Sequence, residues 1–126
     1  MRIPWLIGSL VLLGAVVSAQ APALLADKLG FDQAASSLME AQGFRYTVYL
    51  DGSLTGTVLT ATCAGVASPF ICTAPLPPVT PGQHTAELTA AVVMPDGRSA
   101  ESAKSVPFPF RVYLAPAVPG ALRIVP

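Results

Sequence analysis

Side chains that could carry out catalysis are few and scattered in this sequence. His84 is the only histidine and follows a Thr-Pro-Gly turn at 80–82, so we interpret it as a rim residue that begins a strand rather than as a general base. Ser36 and Ser37 lie in a polar stretch with no evident activating partner. No glycine-rich phosphate loop precedes a helix signal. We therefore expect that the protein is not an enzyme.

The acidic residues do not form a metal-binding pattern. Asp51 and Asp96 each precede a glycine, and an aspartate in such a turn commonly bonds its own backbone. Asp32, Glu40 and Glu87 stand singly, and the sequence has no Asp-x-Asp cluster of the kind that binds calcium. We expect no metal ion and no cofactor.

The two cysteines, Cys63 and Cys72, point to a structural role. Their spacing is not Cys-x-x-Cys, and the single histidine cannot complete a four-ligand zinc site with two thiolates. In an oxidising compartment two such thiols pair. We predict one disulfide that joins neighbouring strands, with Cα atoms about 4.4 to 6.8 Å apart.

The first residues follow the order of a secretory signal peptide. Arg2 gives a basic start, Trp5 to Val17 form an apolar run, and a Val-Ser-Ala sequence at 17–19 provides small residues for cleavage. The run has about 13 residues, fewer than the roughly 20 of a membrane-spanning helix, and a retained anchor is the alternative. We predict a signal peptide over 1–19, secretion (extracellular, cell-surface or periplasmic), and no membrane association after cleavage.

Composition and charge narrow the class of protein. The chain has 126 residues, of which 52% are hydrophobic and 11% charged, with seven Lys and Arg against seven Asp and Glu. This length accommodates one small domain. The balanced charge provides no basic field, so we expect no nucleic-acid partner. Ten glycines and 13 prolines favour turn-rich β structure over a helical bundle.

Alternation of apolar and polar residues predicts the strands. Phe44 to Leu50 alternates clearly, an Asp-Gly turn follows, and Leu54 to Cys63 is predicted as the returning strand. Another strand is predicted near Pro69 to Cys72, and the prolines of 75–78 predict an extended crossover. Two later strands have predicted inward faces at Ala86, Leu88, Ala90, Val92 and Met94, and at Val106, Phe108, Phe110, Val112 and Leu114.

Two local signals refine this pattern. Ser37 and Glu40 have capping-box spacing and predict one short helical turn. In the last strand, Pro107 and Pro109 remove the amide donors from one side. We predict that the Phe108 and Phe110 side of this strand pairs with the preceding long strand, and that the proline side is a free edge.

Four segments stand in a characteristic order along the chain. They are Leu29 to Gln33, Glu40 to Gly52, the Val-Thr-Pro-Gly sequence at 79–82, and 96–102, which begins with the second Asp-Gly turn. Their order resembles a bacterial fibronectin type III domain from about Leu29 to Leu114. The resemblance implies that the first segment is strand B and the second strand C, that the Pro-Gly turn precedes strand F, and that the Asp-Gly turn joins F to G.

The predicted fold is therefore an all-β, small antiparallel fibronectin type III-like (Ig-like) β-sandwich. Little sequence precedes Lys28, so we expect a sandwich shortened at strand A, with a vacancy at that position. The predicted organisation is a signal peptide at 1–19, an N-terminal segment at 20–27, the sandwich at 28–114 and a Pro-rich C-terminal tail at 115–126.

We expect an exported, non-catalytic module with a structural, adhesion or protein-interaction role. Its expected partner is another protein or a cell-surface component. The alternative is a carbohydrate- or small-ligand-binding module that uses Tyr49 and Tyr113, because alternation places both rings on outward faces.

Two further regions are candidate contact surfaces. The loop from Ala64 to Ile71 contains Val66, Pro69 and Phe70. In the tail, Leu122 and Ile124 lie on one face of a short β-prone segment, which could add a strand to its own domain or to a neighbour. The tail is thus a candidate for self-association, and a disordered end is the alternative.

Overall fold

The computed structural model describes residues 20–126, so the predicted signal peptide at 1–19 lies outside the described residues. These residues form two sheets and one short helix, α1 (Leu38–Gly43). The strands are β1 (Ala21–Leu24), β2 (Lys28–Gln33), β3 (Arg45–Leu50), β4 (Thr57–Leu59), β5 (Thr62–Ala64), β6 (Phe70–Pro75), β7 (Gly82–Val93), β8 (Ser99–Glu101) and β9 (Phe108–Tyr113). No helix within 20–126 is long and apolar enough to cross a membrane.

The two sheets are mostly antiparallel and pack face to face, which confirms the predicted all-β sandwich. The larger sheet has the strand order β1-β9-β7-β3-β4, and β8 also pairs with β7. The smaller sheet has the order β2-β6-β5. The pairing of β1 with β9 is parallel.

The core lies between the sheets, where the alternation of β3 turns its apolar side chains inward. Tyr46 and Val48 of β3 are buried, as is Phe110 of β9. The Phe31 ring of β2 lies 4.7 Å from the Tyr46 ring and joins the two sheets. The Tyr46 hydroxyl donates to the Ala41 carbonyl at 2.6 Å, so this buried polar group is satisfied.

Helix α1 begins as the capping signal predicts. The Ser37 hydroxyl accepts a hydrogen bond from the Glu40 amide at 3.1 Å. The Glu40 carboxylate accepts from the amide and hydroxyl of Ser36, at 3.1 and 2.7 Å, rather than from the Ser37 amide. Those two bonds lower the pKa of Glu40. The helix ends at Gly43, after six residues.

The prediction of one strand from Leu54 to Cys63 is wrong, because this segment forms two strands in different sheets. β4 pairs with β3 in the larger sheet, and β5 pairs with β6 in the smaller one. The chain crosses between the sheets at 60–61, and Leu59 packs against both halves of the core. A local pattern indicates extended backbone, but sheet membership depends on partners that are distant in sequence.

The predicted disulfide between Cys63 and Cys72 is present and joins β5 to β6. Its Cα atoms are 4.0 Å apart, so the predicted range of about 4.4 to 6.8 Å is wrong. The Cys63 amide donates to Oε1 of Gln42 at 2.7 Å instead of to β6. Facing residues that do not exchange main-chain hydrogen bonds approach most closely in an antiparallel pair, at about 4.5 Å.

The predicted inward faces of β7 and β9 are buried only at their centres. Ala86 is buried, but Val92 is 46% exposed and Phe108 48%, and Val106 and Leu114 are exposed as well. The prediction is wrong at these ends. β7 has 12 residues and spans about 40 Å, whereas the strands of the smaller sheet have six residues or fewer. The smaller sheet therefore cannot cover the full length of β7.

β9 confirms one half of the proline prediction and contradicts the other. Phe108 and Phe110 pair with β7, as predicted. The proline side is not free, because β1 pairs there from Phe110 to Tyr113. Residues beyond Pro109 keep their amide donors, so a ladder can form in this part of β9. Residues 21–24 thus supply a strand to the larger sheet, although the sequence offered no strand signal there.

Candidate functional site

The edge of β2 that faces away from β6 has no strand beside it within 20–126. Cys63 and Cys72 face each other without exchanging main-chain hydrogen bonds, so the amide and carbonyl of Cys72 point away from β5 and toward β2. The residue of β2 opposite Cys72 is Phe31. Phe31 therefore bonds to β6. Its neighbours Gly30 and Asp32 direct their amides and carbonyls to the open edge.

A groove of about 380 Å³ lies along this open edge, between β2 and β7. We call it the β2 groove; it is lined by 29–33, 86–90, 102, 103, 105 and Phe108. The half-buried side chains of Leu29, Phe31 and Leu88 make its surface largely apolar. Its length along a strand, together with the unpaired main chain, suits an extended polypeptide.

Two serines hold the opposite wall of the β2 groove in place. Between β8 and β9 the chain leaves the regular ladder with β7, and Ser102 and Ser105 replace it. Ser102 donates its amide to the Ala90 carbonyl at 2.8 Å, and its hydroxyl accepts from the Ala90 amide at 3.0 Å. Ser105 makes the same pair of bonds with Leu88, both at 2.9 Å. The amides and carbonyls of Leu88 and Ala90 in β7 therefore have hydrogen-bond partners here although no continuous strand lies beside them.

The charged residues that line the β2 groove are both acidic. They are Asp32 and Glu87, and the lining contains no Lys, Arg or His. Glu87 alternates with Ala86 and Leu88, which pack in the core, so its carboxylate lies on the outer face of the larger sheet and only its main chain borders the groove. Asp32 is exposed on the outer face of β2, beside the open edge. A basic residue in an added strand would be favoured opposite Asp32, because oppositely charged cross-strand neighbours attract.

Tyr49, one of the two tyrosines predicted to bind a ligand, is half-buried and held by charged neighbours. Its hydroxyl donates to Oε1 of Glu101 at 2.9 Å, and this bond raises the pKa of the phenol. The Lys104 ammonium lies 4.3 Å from the ring centre, within the range of a cation–π contact. One face of the ring is therefore already occupied.

Tyr113, the second predicted ligand-binding tyrosine, is 50% exposed at the end of β9. In the larger sheet, Tyr49 lies opposite Glu87 of β7, whereas Val112 lies opposite Gly82. Five positions along a strand correspond to about 16 Å. The two tyrosines are thus far apart along the sheet and form no shared aromatic surface.

The loop from Ala64 to Ile71 exposes two of its three predicted contact residues. Val66 and Pro69 are exposed, whereas Phe70 is buried. Phe70 is the first residue of β6, whose alternate residues turn into the core. The Ser68 hydroxyl accepts from the Ala35 amide at 3.2 Å and ties the loop to the segment before α1. The predicted tail residues Leu122 and Ile124 are 103% and 97% exposed, and 114–126 contains no strand.

A polar cluster that sequence reasoning missed lies at the start of β7. Nδ1 of His84 is 2.7 Å from Oδ2 of Asp51, and Nε2 is 2.6 Å from the Thr80 carbonyl oxygen. Both nitrogens face acceptors, which favours the protonated imidazole. The hydrogen bond between the His84 imidazole and the Asp51 carboxylate raises the pKa of His84 and lowers that of Asp51. The pair joins the turn after β3 to the start of β7, the strand that lies beside β3 in the larger sheet.

The aspartates of the two Asp-Gly turns behave differently. Oδ1 of Asp96 accepts from the Arg98 amide at 3.0 Å, which is the expected bond within a turn. Asp51 instead accepts from the Thr85 amide at 2.9 Å and pairs with His84. Asp51 and His84 are 33 positions apart, so no local sequence signal could pair them.

No protein-family model, no curated protein and no solved structure matches this chain. In the part of the chain from 20 to 126, no group of three or more His, Cys, Asp or Glu side chains is arranged to hold a metal ion. The open edge of β2 and its groove form the candidate site that the geometry provides.

Proposed function

We propose that this protein is an exported, non-catalytic module that binds an extended segment of a protein partner along the open edge of β2, in a structural or adhesive role. The observation that carries this proposal is the outward main chain of Gly30 and Asp32 beside the apolar β2 groove. In strand addition, main-chain bonds give affinity, and pockets for alternate side chains give specificity.

Gly30 supports an approach by another backbone. A Cβ atom at Gly30 would meet only the Cys72 carbonyl oxygen, at an ordinary 4.0 Å, so packing within the fold does not require glycine there. Natural sheets usually block an edge with charged side chains, prolines or bulges. β2 has the charged residues Lys28 and Asp32 on its outer face, but the glycine between them leaves room for a close backbone contact.

The strand order supports the fibronectin type III-like relationship as the finer description of the fold. The order β2-β6-β5 corresponds to strands B, E and D of an immunoglobulin-type sandwich, and β9-β7-β3 to strands G, F and C. Strand A lies beside B in that arrangement, but β1 pairs with β9 here. The partner segment would occupy the strand A position.

Export is supported by the disulfide, because structural disulfides form and persist in oxidising compartments. The predicted signal peptide at 1–19 agrees with this compartment. Among extracellular proteins, small sandwich modules commonly serve adhesion and recognition through their edges and loops.

A Gly30→Pro variant tests the proposal. Proline removes the outward amide donor, while the ladder with β6 is kept because Phe31, not Gly30, bonds to β6. The probe is a synthetic ten-residue peptide of alternating valine and threonine with one central arginine, and its binding is measured by calorimetry. We expect binding to wild type, at least tenfold weaker binding to Gly30→Pro, and unchanged binding to the loop variant Val66→Lys. Equal binding to wild type and Gly30→Pro would contradict the proposal.

Amide hydrogen exchange on the wild-type protein provides a second measurement that needs no variant. Adding the peptide should slow exchange at Gly30 and Asp32, since their amides would then donate to the added strand. The Cys63 amide, which already donates to Gln42, should not change. Unchanged exchange at Gly30 and Asp32 with saturating peptide would refute binding at this edge.

A further inference from the structure

The tail after β9 carries the pattern of a strand without a partner. Leu122 and Ile124 alternate with Arg123 and Val125. Leu122 and Ile124 are almost completely exposed, and the segment pairs with no strand of 20–126. A contiguous exposed apolar segment is typical of an interaction site.

A single copy of the protein therefore has an open strand edge and an unpaired β-prone tail, and these two parts do not contact each other. The β2 groove is open, and the tail of the same copy lies away from it with its apolar side chains in solvent. This placement argues against occupation of the groove by the tail of the same copy.

The charges of the tail and of the edge are complementary in one register. Arg123 is the only charged side chain in 115–126, and the outer face of β2 carries Lys28 near one end and Asp32 near the other. The favourable register places Arg123 beside Asp32 and away from Lys28. A strand with Leu122 and Ile124 turned into the groove places Arg123 on its outer face. Asp32 lies on the outer face of β2, so the apolar and ionic contacts are satisfied by the same orientation.

We infer that the tail of one copy adds as a strand to the open edge of β2 in a second copy. This inference rests on the proposed function and names the partner as another molecule of this chain. Pro119 and Pro126 bound the paired segment, because neither has an amide donor. The two surfaces differ, so the contact is head to tail and generates chains or closed rings.

Two variants separate the donor from the acceptor. Replacing Leu122 and Ile124 together by Asp disables the tail and leaves the edge intact, whereas Gly30→Pro blocks the edge and leaves the tail intact. Sedimentation equilibrium from about 1 μM to 1 mM should show association of the wild type and monomers for each variant alone. An equimolar mixture should restore heterodimers, since it contains one intact edge and one intact tail.

A charge exchange tests the register. Asp32→Arg and Arg123→Asp should each weaken association about fivefold, and the double exchange should restore most of it. Val66→Asp is the control, because it changes charge on a fully exposed loop residue and should leave association unchanged.

The outcomes distinguish this inference from the proposed function. A wild-type protein that stays monomeric up to about 1 mM overturns the inference. Faster exchange at Gly30 on deletion of 119–126 in a monomeric protein also overturns it, since the tail would then lie in its own groove. Binding of the valine-threonine peptide to the deletion variant would still uphold the proposed function. Loss of both self-association and peptide binding would contradict both the inference and the proposed function.

Discussion

The imidazole of His84 and the carboxylate of Asp51 form an ion pair of 2.7 Å that joins the start of β7 to the turn after β3. The two chain segments are also joined by the Asp51 amide, which donates to the Thr85 carbonyl at 2.8 Å. The His84 side chain is 10% exposed and that of Asp51 51%. Water thus screens the pair on one side, while the backbone bonds fix its geometry.

Thermal stability should depend on pH through this pair. The folded-state pKa of His84 is raised above its ordinary 6.5, chiefly by the hydrogen bond that its imidazole donates to Asp51. The contribution of His84 to stability is therefore full below about pH 6.5 and is lost as pH rises through the folded pKa. The pKa of Asp51 is lowered from 3.8, chiefly by the hydrogen bond with His84. The contribution of Asp51 to stability is therefore present above about pH 4 and is lost as pH falls through the folded-state pKa. Calorimetric Tm values should therefore be highest between about pH 4 and 6.5.

Asp51→Asn is the control for this dependence. Asp51 has φ 54°, a left-handed conformation that asparagine also tolerates, so the turn should be kept. The variant should be about 1 kcal/mol less stable near pH 5.5 and should approach the wild type above about pH 8. A constant difference between the two proteins across this range would show that the ion pair does not cause the dependence.

Replacing both cysteines by alanine should lower the free energy of unfolding. The crosslink closes a loop of about ten residues, for which the chain-entropy estimate is roughly 2.7 kcal/mol. The corresponding fall in Tm is about 10–20 °C for a domain of this size. Alanine avoids placing serine hydroxyls next to the buried Tyr46. Urea denaturation of the wild type with and without a reductant is the matched measurement, and equal midpoints would contradict the prediction.

The elements that sequence reasoning located are those set by local chemistry. The strand from Phe44, the cap at Ser37 and the pairing of Cys63 with Cys72 depend on residue types within a few positions or on having only two cysteines. The split between β4 and β5 and the parallel placement of β1 depend on partners far along the chain. Alternation is the same in either sheet, so it could not predict these features.

Gly56→Ala should destabilise the protein although Gly56 lies in the loop before β4. A Cβ atom there would lie 2.9 Å from the Tyr49 ring and would overlap the Thr47 methyl group. Thr47 is buried in the middle of β3, so relief of the overlap must move a packed strand or the loop. Overpacking of this kind costs about 1–3 kcal/mol.

Gly43→Ala is the matched control for Gly56→Ala. A Cβ at Gly43 meets nothing within 4 Å, so this variant should have a Tm within about 2 °C of the wild type. The two Tm values are measured under identical conditions. Equal Tm values for the two variants would show that the loop over Thr47 moves at no cost in stability, which would contradict the prediction for Gly56→Ala.

The candidate site was only partly predictable. The exposed tail segment with Leu122 and Ile124 was predicted from alternation. The open edge of β2 was not predicted, because it exists only once β1 pairs with β9. The outward position of Tyr49 was predicted, but its contacts with Glu101 and Lys104 were not. Glu101 ends β8 and Lys104 follows it, so both contacts depend on the pairing of β8 with β7, which is distant in sequence from Tyr49.

Ser105→Ala should loosen the wall of the β2 groove locally. The variant removes the hydroxyl that accepts from the Leu88 amide at 2.9 Å, and alanine offers no replacement acceptor. Since Leu88 is half-buried, we expect a loss of about 1 kcal/mol and faster hydrogen exchange at the Leu88 amide, with little change at the Ala90 amide, which bonds to Ser102. Ser105→Thr keeps a hydroxyl and should retain most of the protection. Exchange rates at Leu88 that are the same in Ser105→Ala and in wild type would contradict a role for this serine in replacing the ladder.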